Sequence, residues 1–149
     1  MPSATPSFRE LSAKEATAVL RRNHVGRMAF AFQRRVDIVP IHYVYSGAWV
    51  YGRTSLGPKL LTLKHSQWVA FEVDEIEGMF DWRSVVVHGG LYLLEADGPP
   101  REVAARRRAI RLLRKLVPDT LRASDPVAFR DILFRIHADE ITGRAAQVK

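Results

Sequence analysis

An α+β fold built round an antiparallel barrel is what this sequence predicts, and three observations carry it. Strand-like runs follow one another through turn signals, helical periodicity is confined to a few separated segments, and Gly89-Gly90 interrupts the longest strand-like run, where a sheet can bend sharply enough to curl. A doubly wound parallel sheet is excluded, because no Gly-x-Gly-x-x-Gly follows any of these runs. The 149 residues, 47% of them hydrophobic, suffice for one domain with a sizeable core, and no linker, repeat or low-complexity tract divides them.

The elements follow in order. Residues 1–10 read as a flexible arm and residues 11–149 as a single domain. Ser12 and Glu15 have the spacing of a capping box, and Ala16, Val19 and Leu20 form an apolar stripe, which predicts a helix over residues 12–23. Met28, Phe30 and Phe32 alternate with smaller residues, so residues 25–32 read as a strand. Residues 36–45 are β-branched and aromatic, and Ser46-Gly47 separates them from residues 48–53, which predicts a hairpin. Residues 58–65 are long enough for about two helical turns. Val69, Phe71 and Val73 alternate with Ala70, Glu72 and Asp74 in a strand over residues 68–75, and a longer strand covers 83–95. Asp97-Gly98-Pro99-Pro100 is a turn, a helix spans 101–115, and Pro118-Asp119 ends it. Asp125-Pro126 is expected to start a short helix, before strand segments at 132–136 and 140–143.

Composition removes whole classes of function. The chain has no cysteine, which excludes disulfides, thiol catalysis, iron–sulfur clusters and cysteine zinc sites. No apolar run is long enough to span a bilayer, and residues 1–7 lack the charge and apolar core of an export signal, so the cytoplasm is the expected compartment and no membrane partner is expected. The net charge is +7, and much of the excess lies in Arg106, Arg107, Arg108, Arg111, Arg114 and Lys115. These surround a stripe of Ala109, Leu112, Leu113 and Leu116, so they read as the solvated side of an amphipathic helix. No aromatics interleave the charges, and nucleic acid is not the expected partner.

One junction carries the chemistry. From Arg53 to Lys59 the chain reads Arg-Thr-Ser-Leu-Gly-Pro-Lys, where a strand hands over to a helix. Gly57 permits the bend and Pro58 suits a first helical turn. The free backbone N–H groups of that turn would attract an anion, with Arg53, Thr54, Ser55 and Lys59 adding charge and hydrogen bonds.

Five blocks in register now bear on identity: Val-Gly-Arg-Met-Ala-Phe at 25–30, Val-Pro-Ile-His-Tyr-Val-Tyr at 39–45, Val-Tyr-Gly-Arg-Thr-Ser-Leu-Gly-Pro-Lys-Leu at 50–60, Val-Ala-Phe-Glu-Val-Asp-Glu at 69–75 and Trp-Arg-Ser-Val-Val-Val-His-Gly at 82–89. In these the chain resembles the pyridoxamine 5'-phosphate oxidase-like, FMN-binding split-barrel superfamily, and in particular its small members grouped with the nitroimidazole-resistance flavoproteins. The resemblance implies a six-stranded antiparallel split barrel with peripheral helices, working as a homodimer with FMN in each of two grooves between subunits. It implies an oxidoreductase acting on a small molecule. By position, Arg53, Thr54, Ser55 and Lys59 would hold the FMN phosphate with Leu60 packed beside it. Pro40, Ile41 and His42 would border the isoalloxazine, partly through backbone groups, and Trp82, Arg83 and Ser84 would reach it from the other subunit. A positive charge near the flavin N1, from Arg27 or Arg83, would stabilise the reduced anion. The same groove would suit the deazaflavin F420, or haem, in place of FMN. A non-catalytic flavin-, haem- or nucleic-acid-binding module is the reading from a different class.

The remaining residues have plainer readings. His24, His42, His65, His88 and His137 are too dispersed for a metal motif, and no metal is expected. Trp49 and Trp68 read as filling the core or a subunit interface. Glu72 and Asp74 read as the outward face of a strand. Ser84 lacks the glycines of a nucleophile elbow, and no Ser/His/Asp arrangement follows from spacing.

Overall fold

The computed structural model describes residues 5–55 and 67–148. Along the chain these form β1 (Pro6–Glu10), α1 (Ala13–Arg22), β2 (Val25–Phe32), β3 (Arg35–Ser46), β4 (Trp49–Thr54), β5 (Gln67–Gly78), β6 (Asp81–Leu93), α2 (Pro100–Leu113), β7 (Ile132–His137) and β8 (Glu140–Val148). All the strand pairings are antiparallel, in the order β1-β8-β6-β5-β2-β3-β4-β7, and a further β6–β7 pairing closes the sheet on itself. The closed ring is therefore β6-β5-β2-β3-β4-β7, six strands, and β8 and β1 extend it as a flap. This is the split barrel that the resemblance implied.

The closure depends on β6 changing partner along its length. Residues Trp82 to His88 pair with β8, and Leu91 to Leu93 pair with β7. Gly89 sits at the changeover, beneath the turn joining β7 to β8. A Cβ there would lie 1.6 Å from the His137 carbonyl oxygen, so only glycine lets the turn cross so closely.

The barrel is filled by the inward residues of its strands, among them Met28, Phe30, Ile41, Tyr43, Val50, Phe71, Val87, Leu91, Phe134 and Ile136. Helix α1 adds Ala16, Val19 and Leu20 to this core. Its start has the expected capping box, Glu15 N–H to Ser12 Oγ at 3.1 Å and Ser12 N–H to Glu15 Oε1 at 3.1 Å. Its end is held by Glu75, which accepts from Arg22 Nε and Nη2, each at 2.6 Å, and from Asn23 Nδ2 at 2.7 Å. Helix α2 buries Ala105, Ala109, Leu112 and Leu113 against Tyr51, Leu94 and Leu133 on the outside of β4 and β7. Arg107 and Arg111 are exposed, as the stripe predicted, whereas Arg106 is half-buried and donates to the carbonyl of Leu94 at 2.7 Å, Arg108 donates to Ser46 Oγ at 2.6 Å and Arg114 to the Thr120 carbonyl at 3.0 Å.

Three expectations need correction or placing. The arm is a strand from Pro6 to Glu10, because β8 runs five residues past Gly143 and offers it an edge. Asp125-Pro126 starts turns and no helix: the Asp125 carboxylate accepts from the N–H groups of Leu121 at 2.8 Å and Val127 at 3.1 Å, which closes local loops instead of capping a helix. Residues 58–65 lie outside the described residues. No helix among the described residues is long and apolar enough to cross a membrane.

Candidate cofactor site

The barrel opens where β3 and β4 part. Their pairing ends at Tyr43 and Gly52; beyond it β4 stays with β7, Arg53 opposite Leu133 and Thr54 opposite Ile132, while β3 stays with β2. Gly52 stands at the fork, where a Cβ would meet Phe134 at 2.8 Å and Ile41 at 2.9 Å. The Tyr43 N–H points towards β2, donating to the His24 carbonyl at 2.9 Å. Strand alternation then turns the N–H and C=O of His42 and the C=O of Pro40 towards the gap. No described strand pairs with that edge.

Alternation also sorts the predicted side chains. Pro40 and His42 lie on the outer surface, whereas Ile41 points into the core at 2% exposure and borders the gap only through its backbone. Arg53 points outward but is buried, and its guanidinium grips Asp125, Nη1 to Oδ2 at 2.5 Å and Nη2 to Oδ1 at 3.1 Å. Those two donors are spent within the protein. Thr54 is buried beside it and Ser55 is exposed. Lys59 and Leu60 lie outside the described residues.

Sequence reasoning missed Arg130. It reaches the gap from the turn-rich segment before β7, and its Nη1 donates to His42 Nδ1 at 3.2 Å. His42 and Arg130 form the polar side of a hollow of about 100 Å³ whose other walls include Arg53, Leu113, Val117 and Val127. No periodicity links positions 42 and 130, so nothing local in the sequence could have paired them.

The second group of predicted residues is split by the same alternation. Trp82 and Ser84 face outward on β6, and Arg83 faces the opposite way, its Nη1 4.0 Å from Glu75. The three cannot line one surface. Ser84 Oγ donates to Glu72 Oε2 at 2.8 Å, and Arg27 lies 3.7 Å from Glu72 and 3.4 Å from Asp74. Partial burial raises the Glu72 carboxyl above its ordinary range; the Ser84 bond opposes this and neighbouring Asp74 adds to it. Arg27 is thus engaged with carboxylates on the outer sheet. That sheet also exposes Val25, Val36, Ile38, Trp68 and Ile76. Trp68, at 58% exposure, is therefore outside the core, whereas Trp49 is covered by Arg135, whose Cζ lies 3.6 Å from the ring centroid.

Among the described residues no group of three His, Asp or Glu could hold a metal. His24 Nδ1 lies 3.2 Å from the Tyr43 carbonyl oxygen, and His137 Nδ1 lies 2.5 Å from Asp139 Oδ1.

A closed six-stranded barrel with a flap, helices outside, and a polar gap where two neighbouring strands part defines the split-barrel class. The family model described as pyridoxamine 5'-phosphate oxidase matches residues 12–145, and the chain belongs to that family. It is 31% identical to an uncharacterised protein of Rhizobium meliloti over 148 residues, 93% of this chain and 95% of that one. Among solved structures it resembles an FAD-binding protein from Mesorhizobium loti, with TM-score 0.71 and 31% identity over 92% of this chain and 96% of the other. An FAD and haem binding protein from Mycobacterium smegmatis shares the fold, with TM-score 0.67 and 19% identity over 93% of this chain and 73% of the other.

Proposed function

We propose that the protein binds a flavin nucleotide at the gap between β3 and β4 and acts as an oxidoreductase on a small molecule. The observation that carries this reading is the open edge of β3. The His42 N–H and C=O and the Pro40 C=O present donor and acceptors in a row, which suits the alternating acceptors and donor of a flavin pyrimidine edge. The family, and the FAD-binding relative at 31% identity, support it. When bound, the flavin supplies the electron-transfer chemistry. The chain supplies position: backbone groups of Pro40 and His42 orient the ring, and Arg130 holds the His42 imidazole beside it. Ser55 and Lys59 hold the phosphate, while Arg53 shapes the site through Asp125. FMN is the flavin implied by the sequence blocks, and FAD is the one named for the relative.

The active unit in this reading is a homodimer. Three strand spacings separate β3 from β6 on the outer sheet, about 14 Å at the usual ~4.8 Å per strand, so Trp82 and Ser84 stand well away from the gap of their own protomer. A second copy packed on the apolar outer face would carry its own Trp82 and Ser84 to that gap, and would cover Ile38, Trp68 and Ile76.

The test is the visible spectrum of the purified protein, with the released chromophore identified by mass. A flavin spectrum is expected, and a deazaflavin, haem or colourless preparation that takes up no added flavin overturns the reading. Lys59→Ala and Arg130→Met should each weaken flavin binding by about tenfold, on the order of one charge-assisted hydrogen bond.

A further inference from the structure

On the outer sheet, three or more strand spacings from the gap of the same protomer, β1, β8 and β6 bring together a cluster round Arg144, from which the flavin reading draws only the Trp82 and Ser84 of a second copy. Phe8 and Trp82 stand opposite Ala146 from either side, and Glu10 and Ser84 stand opposite Arg144. The Phe8 and Trp82 ring centroids are 6.4 Å apart and tilted, and Phe80 meets Phe8 edge-on at 6.5 Å. Phe8 remains 64% exposed. Arg144 lies between two hollows, one of about 320 Å³ walled by Phe8, Glu10 and Trp82, the other of about 200 Å³ walled by Trp82, Ser84 and Thr142. Its neighbour Arg9 is tied to Glu15 by bonds of 3.0 and 2.8 Å, but the Arg144 side chain is exposed and makes no hydrogen bond or ion pair with any described residue.

We infer that this surface is a subsite for an adenosine diphosphate moiety. The parts answer to its chemistry one by one. Indole and phenyl faces offer a platform for a purine, which stacks well on aromatic rings whatever its sequence context. The unpaired guanidinium presents a fixed fork of donors matched to phosphate oxygens. Glu10 can only accept, which suits ribose hydroxyls or an exocyclic amino group. Thr142 adds a hydroxyl to the same hollow, and Ser84 Oγ, whose proton goes to Glu72, adds an acceptor. An acidic peptide would use the cation and leave the aromatic shelf empty, and an apolar ligand would leave the cation unpaired. An adenine nucleotide uses both. Two carriers share this moiety, FAD and a nicotinamide dinucleotide acting as electron donor. The choice between them rests on the flavin reading, whereas the subsite itself does not.

The test is calorimetric titration of the purified full-length protein with ADP, FMN, FAD and NADH, on wild type, Arg144→Met and Trp82→Leu, with melting curves to verify folding. ADP should bind wild type and lose about tenfold or more in affinity in each variant. If FAD is the carrier, the ratio of FAD to FMN affinity, above one in wild type, falls towards one in Arg144→Met. If a nicotinamide dinucleotide is the carrier, NADH affinity falls and that ratio stays. Absence of ADP binding to wild type, or equal ADP binding by Arg144→Met, overturns the inference. Binding of ADP with no binding of FMN or FAD leaves the subsite standing and sinks the flavin reading.

Discussion

Arg53 and Asp125 hold each other in a buried, two-pronged ion pair across 72 positions of sequence. Asp125 also accepts the N–H groups of Leu121 and Val127, so one carboxylate ties β4 to the turns that follow α2. Leu121 has φ of +56°, a left-handed conformation that costs a leucine energy and persists here under that hydrogen bond. The pair thus fixes the roof of the hollow beside His42.

Breaking one side of that pair should be worse than removing both. Arg53→Met or Asp125→Asn leaves a buried group without its partner, while Arg53→Met with Asp125→Leu removes the charges together. Each single variant should lower the melting temperature by several degrees, and the double variant should recover part of the loss. Equal or additive losses in a thermal double-mutant cycle would mean that the two residues act independently.

Stability should fall in acid through a small set of carboxylates. The hydrogen bond from Arg22 is the main cause holding Glu75 at about 2, helped by Asn23 and opposed by partial burial. Glu15 is held at about 2 chiefly by Arg9, and Asp125 is pushed well below the carboxylate range chiefly by Arg53. A depressed folded-state value stabilises the fold above the unfolded value and is lost as pH falls through the folded one. The window runs from about pH 4.5 down to about 2. Glu75→Gln should therefore be less stable than wild type at pH 7, and the difference in urea midpoint should shrink across that window. A difference that stays constant with pH would remove Glu75 from the account.

The changeover in β6 makes Gly89 intolerant of any side chain. An added Cβ 1.6 Å from the His137 carbonyl oxygen cannot be relieved by a rotamer, since the obstacle is backbone. Gly89→Ala should cost upwards of about 4 kcal/mol, among the largest effects of single substitutions, or prevent folding outright. Recovery of a soluble variant with an unchanged melting temperature would show that β7 and β8 can separate here at little cost.

Much of this fold was legible because its signals are local. The Ser12 and Glu15 box, the alternation over residues 25–32, the Ser46-Gly47 turn and the Gly89-Gly90 pair each lie within a few residues and were read where they occur. The Pro6–Glu10 strand was not legible, because its hydrogen bonds go to residues 144–148. Arg53 shows the same limit in the site. Its place beside Thr54 and Ser55 suggests a phosphate ligand, and only the fold brings Asp125 to it. By contrast, the grouping of Trp82 with Arg83 and Ser84, and of Ile41 with Pro40 and His42, could have been refined from strand alternation alone. Arg130 meets His42, and Arg144 stands opposite Glu10 and Ser84, only through the fold, and no motif announces either.

Tyr43 offers a measure of how firmly the barrel holds α1. Its hydroxyl donates to the Leu20 carbonyl at 2.8 Å, one of the carbonyls left over where the helix stops at Arg22. Burial raises the phenol well above its ordinary range, with the Glu75 charge adding to the effect, so it stays a donor at every pH of interest. Tyr43→Phe keeps the ring and its edge-on packing against Phe71, 5.0 Å between centroids, and removes only the hydroxyl. The loss should be about 1–3 kcal/mol, because the Leu20 oxygen is left buried without that donor. For a chain of this length that corresponds to a melting temperature roughly 2–4 °C lower per kcal/mol. Amide exchange should quicken in the last turn of α1 before the barrel strands respond. If exchange instead quickens equally throughout the barrel, the helix and the barrel unfold as one unit and this bond is no separate fastening between them.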